Sequence, residues 1–163
     1  MKIAFSGTHG VSKTTKVYEL ASVYKKLHPG KSVAVLTDIS KYCPYEVNKD
    51  TTFKSQMWIL NNMMDMENYL LDYNDILITD RTVMDCLAYT RKAGMKELSE
   101  ILLNYCLNHM KTYDRIYFIR RSNVIPLVSE KSGRLDDVKF QEEIENILLE
   151  LYNKVNLENF VLV

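Results

Sequence analysis

Neither sign of charge is in excess in this sequence, which contains 21 lysine and arginine residues and 21 aspartate and glutamate residues. The chain as a whole therefore offers no basic footprint for nucleic acid or for an anionic membrane surface. It also has no apolar run long enough to cross a bilayer. The apolar run at the N-terminus stops at a glycine after a few residues, too early for a secretory signal, so we expect a cytoplasmic protein that does not bind membranes.

Cysteine is scarce as well, with three residues that are far apart and lack CxxC spacing or neighbouring histidines. This pattern excludes a disulfide framework and gives no indication of a zinc site. Repeats, low-complexity tracts and linker-like stretches are absent from the 163 residues. The sequence therefore predicts a single domain over residues 1–163, long enough to bury roughly 70% of its unfolded surface without disulfides.

Five short apolar, β-branched or aromatic runs alternate with longer segments of helical spacing. The predicted strands cover residues 2–5, 32–37, 75–79, 115–119 and 159–163. The predicted helices cover residues 14–27, 52–71, 83–93, 96–111 and 138–155. Alternation of this kind predicts an α/β fold in which a five-stranded parallel sheet carries helices on both faces.

A phosphate-binding motif follows the first predicted strand and runs into the first helix. The segment GTHGVSKTT supplies Gly7, Lys13 and Thr14 to the pattern G-x-x-x-x-G-K-[ST]. In this setting, backbone N–H groups surround a β-phosphate, the lysine reaches the β- and γ-phosphates of ATP, and the threonine hydroxyl binds Mg²⁺. The predicted nucleotide-binding residues are Gly7, Thr8, His9, Gly10, Val11, Ser12, Lys13, Thr14 and Thr15.

Ser12 stands where the motif has its second glycine. If the position requires left-handed backbone geometry, serine costs about 1 kcal/mol. That is small beside the roughly 8 kcal/mol of a micromolar nucleotide complex. The substitution is therefore expected to weaken the loop without abolishing nucleotide binding.

The third predicted strand ends at a second polar pair, Asp80 and Arg81. Ligands of open α/β sheets bind beside the carboxyl ends of parallel strands. Asp80 is therefore a candidate ligand of Mg²⁺, and Arg81 is a candidate for neutralising charge on a transferring phosphoryl group.

These motifs, in this order and spacing, resemble the P-loop kinases of the nucleoside and nucleoside-monophosphate kinase group. The chain is especially similar to the small AAA-type ATPase/kinase family common in bacteriophages and related to the NadR-type ribosylnicotinamide kinases. The resemblance covers nearly the whole chain and implies a three-layer P-loop NTPase fold. It further implies that Asp85 and Tyr89, which follow the Asp80-Arg81 pair, contact the substrate.

The resemblance also implies an acidic residue facing the phosphoryl acceptor just after the second strand, a position that Asp38 occupies. The family pattern is a glutamate followed three residues later by an arginine, whereas this chain has Asp38 and Lys41. A lid rich in arginine is implied over about residues 120–136, with Arg134 as the residue that closes on the phosphates.

The acceptor stays open at the level of sequence. A hydroxyl acceptor requires a carboxylate base such as Asp38, whereas a phosphate acceptor requires cations such as Lys41, Arg81 or Arg91. Gln56 is predicted to make a bidentate hydrogen bond to a base or amide edge and Trp58 to stack on the base, although the surrounding methionines and Trp58 also fit simple core packing.

The leading hypothesis is an ATP- and Mg²⁺-dependent kinase that acts on a nucleoside or nucleoside monophosphate, with a deoxynucleotide-type acceptor favoured. Lys13, Asp38, Arg81 and Arg134 are its predicted catalytic residues, and Thr14 and Asp80 its predicted metal ligands. Two alternatives remain: a kinase acting on a modified base or 5′ end within DNA, and a regulatory ATPase without an acceptor. A homodimer is also left open.

Overall fold

The computed structural model describes residues 1–47, 50–121, 138–155 and 158–163. Five parallel strands form one sheet in the order β2-β3-β1-β4-β5. The strands are β1 (Lys2–Ser6), β2 (Val33–Leu36), β3 (Ile76–Asp80), β4 (Arg115–Phe118) and β5 (Phe160–Leu162). The helices are α1 (Lys13–Leu27), α2 (Phe53–Tyr73), α3 (Val83–Lys92), α4 (Lys96–Met110) and α5 (Val138–Lys154). The predicted fold class and every predicted strand and helix are confirmed, with ends that move by one or two residues.

Side-chain alternation along the strands divides the core between the two faces of the sheet. Ile3 and Ile78, which are paired in register, belong to the cluster that packs against α1. Ala4 and Leu77 belong to the larger cluster, to which α2, α3, α4 and α5 contribute. Because consecutive residues of a strand point to opposite faces, continuously apolar strands bury both faces and need helices on each.

The order of the strands places the candidate motifs together. β1 and β3 are neighbours, and Phe5 lies opposite Asp80 in the register. Both strands run in the same direction, so the loop after β1 and the segment after β3 emerge side by side at one edge. β2 pairs with β3 on the other side, which brings the residues after Leu36 to the same edge.

A buried charged cluster lies at the opposite end of β1. The Lys2 ammonium donates to Glu67 Oε2 at 2.8 Å, and the Tyr113 hydroxyl donates to Glu67 Oε1 at 2.8 Å. His109 Nε2 lies 2.6 Å from the same carboxylate, and the ammonium stands 4.1 Å from the centre of the Tyr113 ring. Lys2 and Glu67 are 1% and 0% exposed, so their mutual pairing compensates two charges that water does not reach.

No helix in the described ranges is both long enough and apolar enough to cross a membrane.

Replacing Glu67 by glutamine should lower the free energy of unfolding by about 3 to 5 kcal/mol, because the buried Lys2 charge would lose its partner. Denaturant unfolding of the variant measures this loss. The matched control is Glu19→Gln in the exposed Lys16–Glu19 pair, which should leave stability almost unchanged. Equal stability of the two variants would show that the buried pair contributes little.

Candidate active site

The loop between β1 and α1 has the backbone shape of a phosphate cradle. Gly7 and Gly10 have φ values of 140° and 77°. A Cβ atom on Gly7 would lie 2.6 Å from the backbone oxygen of Ile119. Glycine is therefore required at the first motif position both by conformation and by the close approach of the segment that follows β4.

Ser12 adopts the left-handed conformation of the glycine that it replaces, with φ 59° and ψ 23°. It stands immediately before α1, and no hydrogen bond from its side chain caps the helix. The left-handed geometry is thus present at this position, where a serine costs about 1 kcal/mol relative to glycine.

Lys13 folds back over the loop. Its ammonium donates to the carbonyl oxygens of Gly7 at 2.9 Å and Thr8 at 2.6 Å. Burial, and next the charge of Arg81, lower the pKa of Lys13 to about 8. A buried ammonium of lowered pKa at the mouth of a phosphate cradle would be stabilised by an anion placed there.

Two oxygen ligands meet where α1 and β3 approach each other. The Thr14 hydroxyl donates to Asp80 Oδ2 in a short hydrogen bond. Mg²⁺ is commonly held by one or two protein oxygens together with substrate phosphates and water. Thr14 and Asp80 therefore fit a magnesium ion shared with a nucleotide. The described part of the chain contains no group of three or more His, Cys, Asp or Glu residues placed to hold a metal.

Arg81 is held in a strained conformation directly after β3, with φ 96°. Its N–H donates to the Phe5 carbonyl at 2.8 Å, and its carbonyl accepts from the Thr79 hydroxyl at 2.9 Å. A positive φ at a non-glycine residue persists only when surrounding contacts enforce it. These two hydrogen bonds supply that enforcement and fix the direction in which the side chain leaves the sheet.

The Arg81 side chain forms a buried ion pair with Asp38. Arg81 Nε lies 2.9 Å from Asp38 Oδ2. The other oxygen, Asp38 Oδ1, accepts from the backbone N–H of Ser40 at 3.0 Å and from its hydroxyl at 2.6 Å. Burial opposes ionisation of Asp38, but the Arg81 charge and the Ser40 hydrogen bonds outweigh it and hold the pKa of this carboxyl far below its usual range. Asp38 is therefore a carboxylate throughout the neutral pH range.

Asp85 joins the loop after β1 to the segment after β3. Its carboxylate accepts hydrogen bonds from the Ser6 hydroxyl at 2.9 Å and the Gly7 N–H at 3.1 Å. It also accepts from the backbone N–H of Thr82 at 2.8 Å and from the Thr82 hydroxyl at 2.9 Å, which caps the start of α3. Asp85 is fully buried and borders the cavity described next, but the hydrogen bonds of its carboxylate all join parts of the protein.

A cavity, here called the α2–α3 cavity, lies beside the Arg81–Asp38 pair. It is lined by Ser40, Val47, Gln56, Ile59, Met63, Arg81, Asp85, Cys86 and Tyr89. Four of these, Gln56, Arg81, Asp85 and Tyr89, are among the predicted substrate-binding residues. Ser40 and Cys86 were not predicted, although each lies within two residues of one that was.

Two predicted substrate-binding residues lie elsewhere. Trp58 is half-buried and packs against the core cluster rather than lining the α2–α3 cavity. Lys41 is exposed on the 3₁₀ helix Ile39–Tyr42. Arg91, considered as a phosphate-binding cation, forms ion pairs with Glu100 at 2.7 Å and Glu150 at 3.1 Å, and so links α3 to α4 and α5.

His9 connects the loop to the cavity. Its Nδ1 lies 3.1 Å from the Tyr89 hydroxyl, and its ring centre lies 5.8 Å from that of Phe140 in α5. The Arg81 guanidinium lies over the ring of Tyr89, 5.1 Å from its centre. His9, placed by sequence among the nucleotide-binding residues, thus also contacts a residue that lines the cavity.

The remaining loop residues differ in exposure. Val11 is buried in the α1 side of the core, and Thr15 is exposed on α1. The Thr8 hydroxyl is buried and has no hydrogen-bond partner within the described part of the chain. Arg134 and most of the predicted lid lie outside the described residues, so the lid remains a prediction.

Replacing Ser12 by glycine should preserve or tighten ATP binding, because glycine adopts the observed backbone geometry without cost. The gain in free energy of unfolding should stay below about 1 kcal/mol, since glycine also adds freedom to the unfolded chain. Calorimetric titration with MgATP measures the affinity, and Ser12→Ala, which keeps the strained Cβ, serves as control. A tenfold or greater loss of affinity in Ser12→Gly would assign the hydroxyl a direct role.

Comparisons with known proteins agree with this geometry. A family model described as an AAA domain matches residues 2–163. No curated protein has a significantly similar sequence.

Among solved structures, thymidylate kinase from Ehrlichia chaffeensis superimposes with a TM-score of 0.67 at 15% identity, covering 100% of this chain and 91% of that chain. Deoxyadenosine kinase from M. mycoides gives a TM-score of 0.64 at 21% identity, covering 100% and 89%. Thymidylate kinase from Candida albicans gives 0.68 at 18% identity, covering 99% and 82%. The chain therefore belongs to the AAA domain family and has the α/β P-loop fold of these nucleotide kinases.

Proposed function

We propose that this protein is an ATP- and Mg²⁺-dependent kinase that transfers the γ-phosphoryl group to a nucleoside or nucleoside monophosphate of the deoxy type. The observation that carries the proposal is the meeting of two half-sites at one edge of the sheet. Lys13, Thr14 and Asp80 form the donor half, and the Arg81–Asp38 pair beside the α2–α3 cavity forms the acceptor half. A protein that only binds nucleotide would need no second half.

In the donor half, the backbone N–H groups of residues 8–13 and the amino end of α1 would bind phosphate oxygens. Lys13 would exchange its carbonyl partners for the β- and γ-phosphates. Thr14 and Asp80 would hold Mg²⁺, which when bound neutralises charge on the phosphates. The lid arginine Arg134 is proposed to complete this half.

In the acceptor half, Asp38 faces the incoming group and Arg81 stabilises charge on the transferring phosphoryl. Arg81 Nη1 is buried, lies 4.0 Å from Asp85, and has no hydrogen-bond partner within the described ranges, so this donor is available to a phosphoryl oxygen. As the acceptor oxygen bonds to the γ-phosphorus and the bond to the β–γ bridging oxygen breaks, the acceptor proton passes to Asp38. A carboxylate of low pKa suffices because, in a loose transition state, little nucleophilic assistance is required.

The charge balance of the cavity favours a hydroxyl acceptor over a phosphate. Among the described residues that line it, Arg81 is the one permanent cation, and Asp38 pairs with it. A phosphate monoester would bring about two further negative charges to a cavity where Asp38 already pairs with Arg81 and Asp85 adds a second carboxylate. We therefore propose a nucleoside as the first candidate. A monophosphate is the second candidate, with Lys41 and Arg134 as the cations that would hold it.

Several relatives in fold are named for deoxynucleoside or thymidylate substrates, which supports the deoxy-type acceptor. The proposed role of Gln56 is to contact the base, with Tyr89 and Asp85 bordering the same cavity. Trp58 would act through the packing of α2 rather than by stacking. The cytoplasmic location and a homodimer stay predictions, and a DNA acceptor is not favoured.

Incubation with γ-labelled ATP, Mg²⁺ and a panel of nucleosides, monophosphates and oligonucleotides tests the proposal. Label should appear on free nucleosides or monophosphates. Lys13→Ala should lower kcat by about 10²- to 10³-fold through lost transition-state stabilisation. Asp38→Asn should lower kcat by up to about 10²-fold while MgATP still binds, because the variant loses both the proton acceptor and the charge that positions Arg81.

The matched control is Lys16→Ala, because Lys16 lies on the same helix and is exposed beside Glu19. It should keep the activity of the unaltered protein. Three results would contradict the proposal: label on oligonucleotides alone, ATP hydrolysis without any acceptor, or full activity in Lys13→Ala.

Affinity for MgATP should fall as pH rises through about 8. The pKa of free Lys13 is about 8, and bound phosphates would raise it, so the complex holds more protons than the free protein above this pH. Below this pH, Lys13 is already charged in both states and the dependence disappears. Calorimetric titration at pH 8.5 in buffers of different ionisation enthalpy should detect proton uptake on binding.

Lys13→Met is the control for this measurement, because it lacks the titrating group. Its MgATP affinity should be weaker and should lose the decline above pH 8. The same proton uptake in both proteins would show that another group is responsible.

A further inference from the structure

The amide of Gln56 has distinct partners at its two ends. Gln56 is 3% exposed, begins the second turn of α2, and borders the α2–α3 cavity. Its Nε2 lies against the Thr51 hydroxyl, and its Oε1 lies 3.1 Å from Cys86 Sγ and 3.3 Å from Thr90 Oγ1. Because the two ends of an amide have nearly the same shape, the partners decide which end is the donor.

The start of α2 fixes the nitrogen end. The Ser55 hydroxyl donates to the Thr52 carbonyl at 2.9 Å, which uses its single hydrogen. The Thr51 hydroxyl lies 2.9 Å from Ser55 Oγ and is assigned as the donor to it, since the Ser55 hydrogen is already engaged. Only lone pairs of Thr51 Oγ1 remain for Gln56, so the end of the amide that faces Thr51 is the NH₂ group.

Helix α3 fixes the oxygen end. Burial raises the pKa of the Cys86 thiol far above its usual range, so Cys86 keeps its proton and acts as a donor. The Thr90 hydroxyl donates to the Cys86 carbonyl at 2.8 Å, so its longer 3.3 Å contact with Gln56 Oε1 is a secondary, bifurcated one and the Cys86 thiol is the main donor to this oxygen. Both partners are buried, at 5% and 0% exposure, so water does not compete for this oxygen.

We propose that Cys86, Thr90 and Thr51 are specificity-determining residues that hold Gln56 as a hydrogen-bond donor towards the acceptor base. Gln56 then has one N–H left for a ligand, while its oxygen is already engaged. A base that carries a carbonyl at the contacted position accepts this N–H, whereas a base with an exocyclic amine there places two donors face to face. The acceptor class is therefore a nucleoside with a keto edge, of the thymine, uracil, guanine or hypoxanthine type.

This inference rests on the proposed function and adds to it the edge of the base that is read. It also replaces the bidentate contact expected from sequence by a single donated hydrogen bond. Bidentate pairing with a base needs a free oxygen as well as a free N–H on the amide. In the structure, Cys86 and Thr90 occupy that oxygen.

The test compares acceptors that differ in one exocyclic group and in the proton of the adjacent ring nitrogen: a deoxynucleoside of uracil with that of cytosine, and one of hypoxanthine with that of adenine. For the unaltered protein, kcat/KM should be about tenfold or more higher for the keto member of each pair, because a mismatched donor loses a hydrogen bond and leaves groups unpaired. The ratio of two kcat/KM values in one preparation does not depend on the fraction of correctly folded protein.

The double variant Cys86→Ala/Thr90→Val removes both donors while nearly conserving volume at position 90. It should lower the keto-to-amino ratio at least about fivefold, because the released oxygen can then accept from an amine. The matched control Cys86→Ser/Thr90→Ser has a hydroxyl donor at each position and should retain the keto preference. Thr51→Val acts from the other end of the amide and should shift the ratio in the same direction as Cys86→Ala/Thr90→Val.

The possible results separate the two proposals. An unchanged ratio in both Cys86→Ala/Thr90→Val and Thr51→Val would overturn the assignment of these residues while leaving the kinase in place. A preference of the unaltered protein for amino bases would do the same. Failure to phosphorylate any nucleoside or monophosphate would overturn the proposed function and this inference together.

Discussion

The buried carboxylate of Asp85 is the constraint on which the candidate site depends. It accepts hydrogen bonds from Ser6 and Gly7 at the end of β1 and from Thr82 at the start of α3. These contacts bind the phosphate-cradling loop to the segment after β3, so neither can move without the other. An ionised carboxylate deep in a protein is costly unless hydrogen-bonded, and here the donors are parts of the two loops themselves. The cost of burying the charge is thus offset by the contacts that set the geometry of the site.

Strain and charge are concentrated at the same edge. The two non-glycine residues with positive φ in the described ranges, Ser12 and Arg81, stand at the ends of the two tied segments. Two cations, Lys13 and Arg81, are surrounded by the carboxylates of Asp38, Asp80 and Asp85. Burial, and next the charge of Arg81, nevertheless keep the pKa of Lys13 lowered, while Asp38 pairs closely with Arg81. Anionic phosphates and a divalent cation entering together would change the balance little, since each brings charge that the other neutralises.

The sequence predicted the fold well because the strands are continuously apolar and the helices carry clear ends. It predicted the phosphate loop because that motif is local, with strand, loop and helix in one segment. The contacts that organise the acceptor half are not local. Asp85 accepts hydrogen bonds from Ser6 and Gly7, which precede it by 79 and 78 positions, and His9 contacts Tyr89 across a separation of 80 positions. Gln56 and Trp58 are two positions apart on α2 and face different sides of the helix, but spacing alone does not say which side borders the cavity. Only the pairing of β1 with β3 and the packing of α3 show which side chains share the cavity.

The candidate site consists of two half-sites whose segments are joined by the hydrogen bonds of Asp85. The most direct measurement is a crystal structure with Mg²⁺ and a bisubstrate analogue in which adenosine and a deoxynucleoside are joined through their 5′ oxygens by a polyphosphate. We expect the polyphosphate on residues 7–15 with Mg²⁺ at Thr14 and Asp80, and the deoxynucleoside in the α2–α3 cavity beside Asp38 and Arg81. A deoxynucleoside located outside this cavity, with the polyphosphate still bound to the loop, would contradict the account.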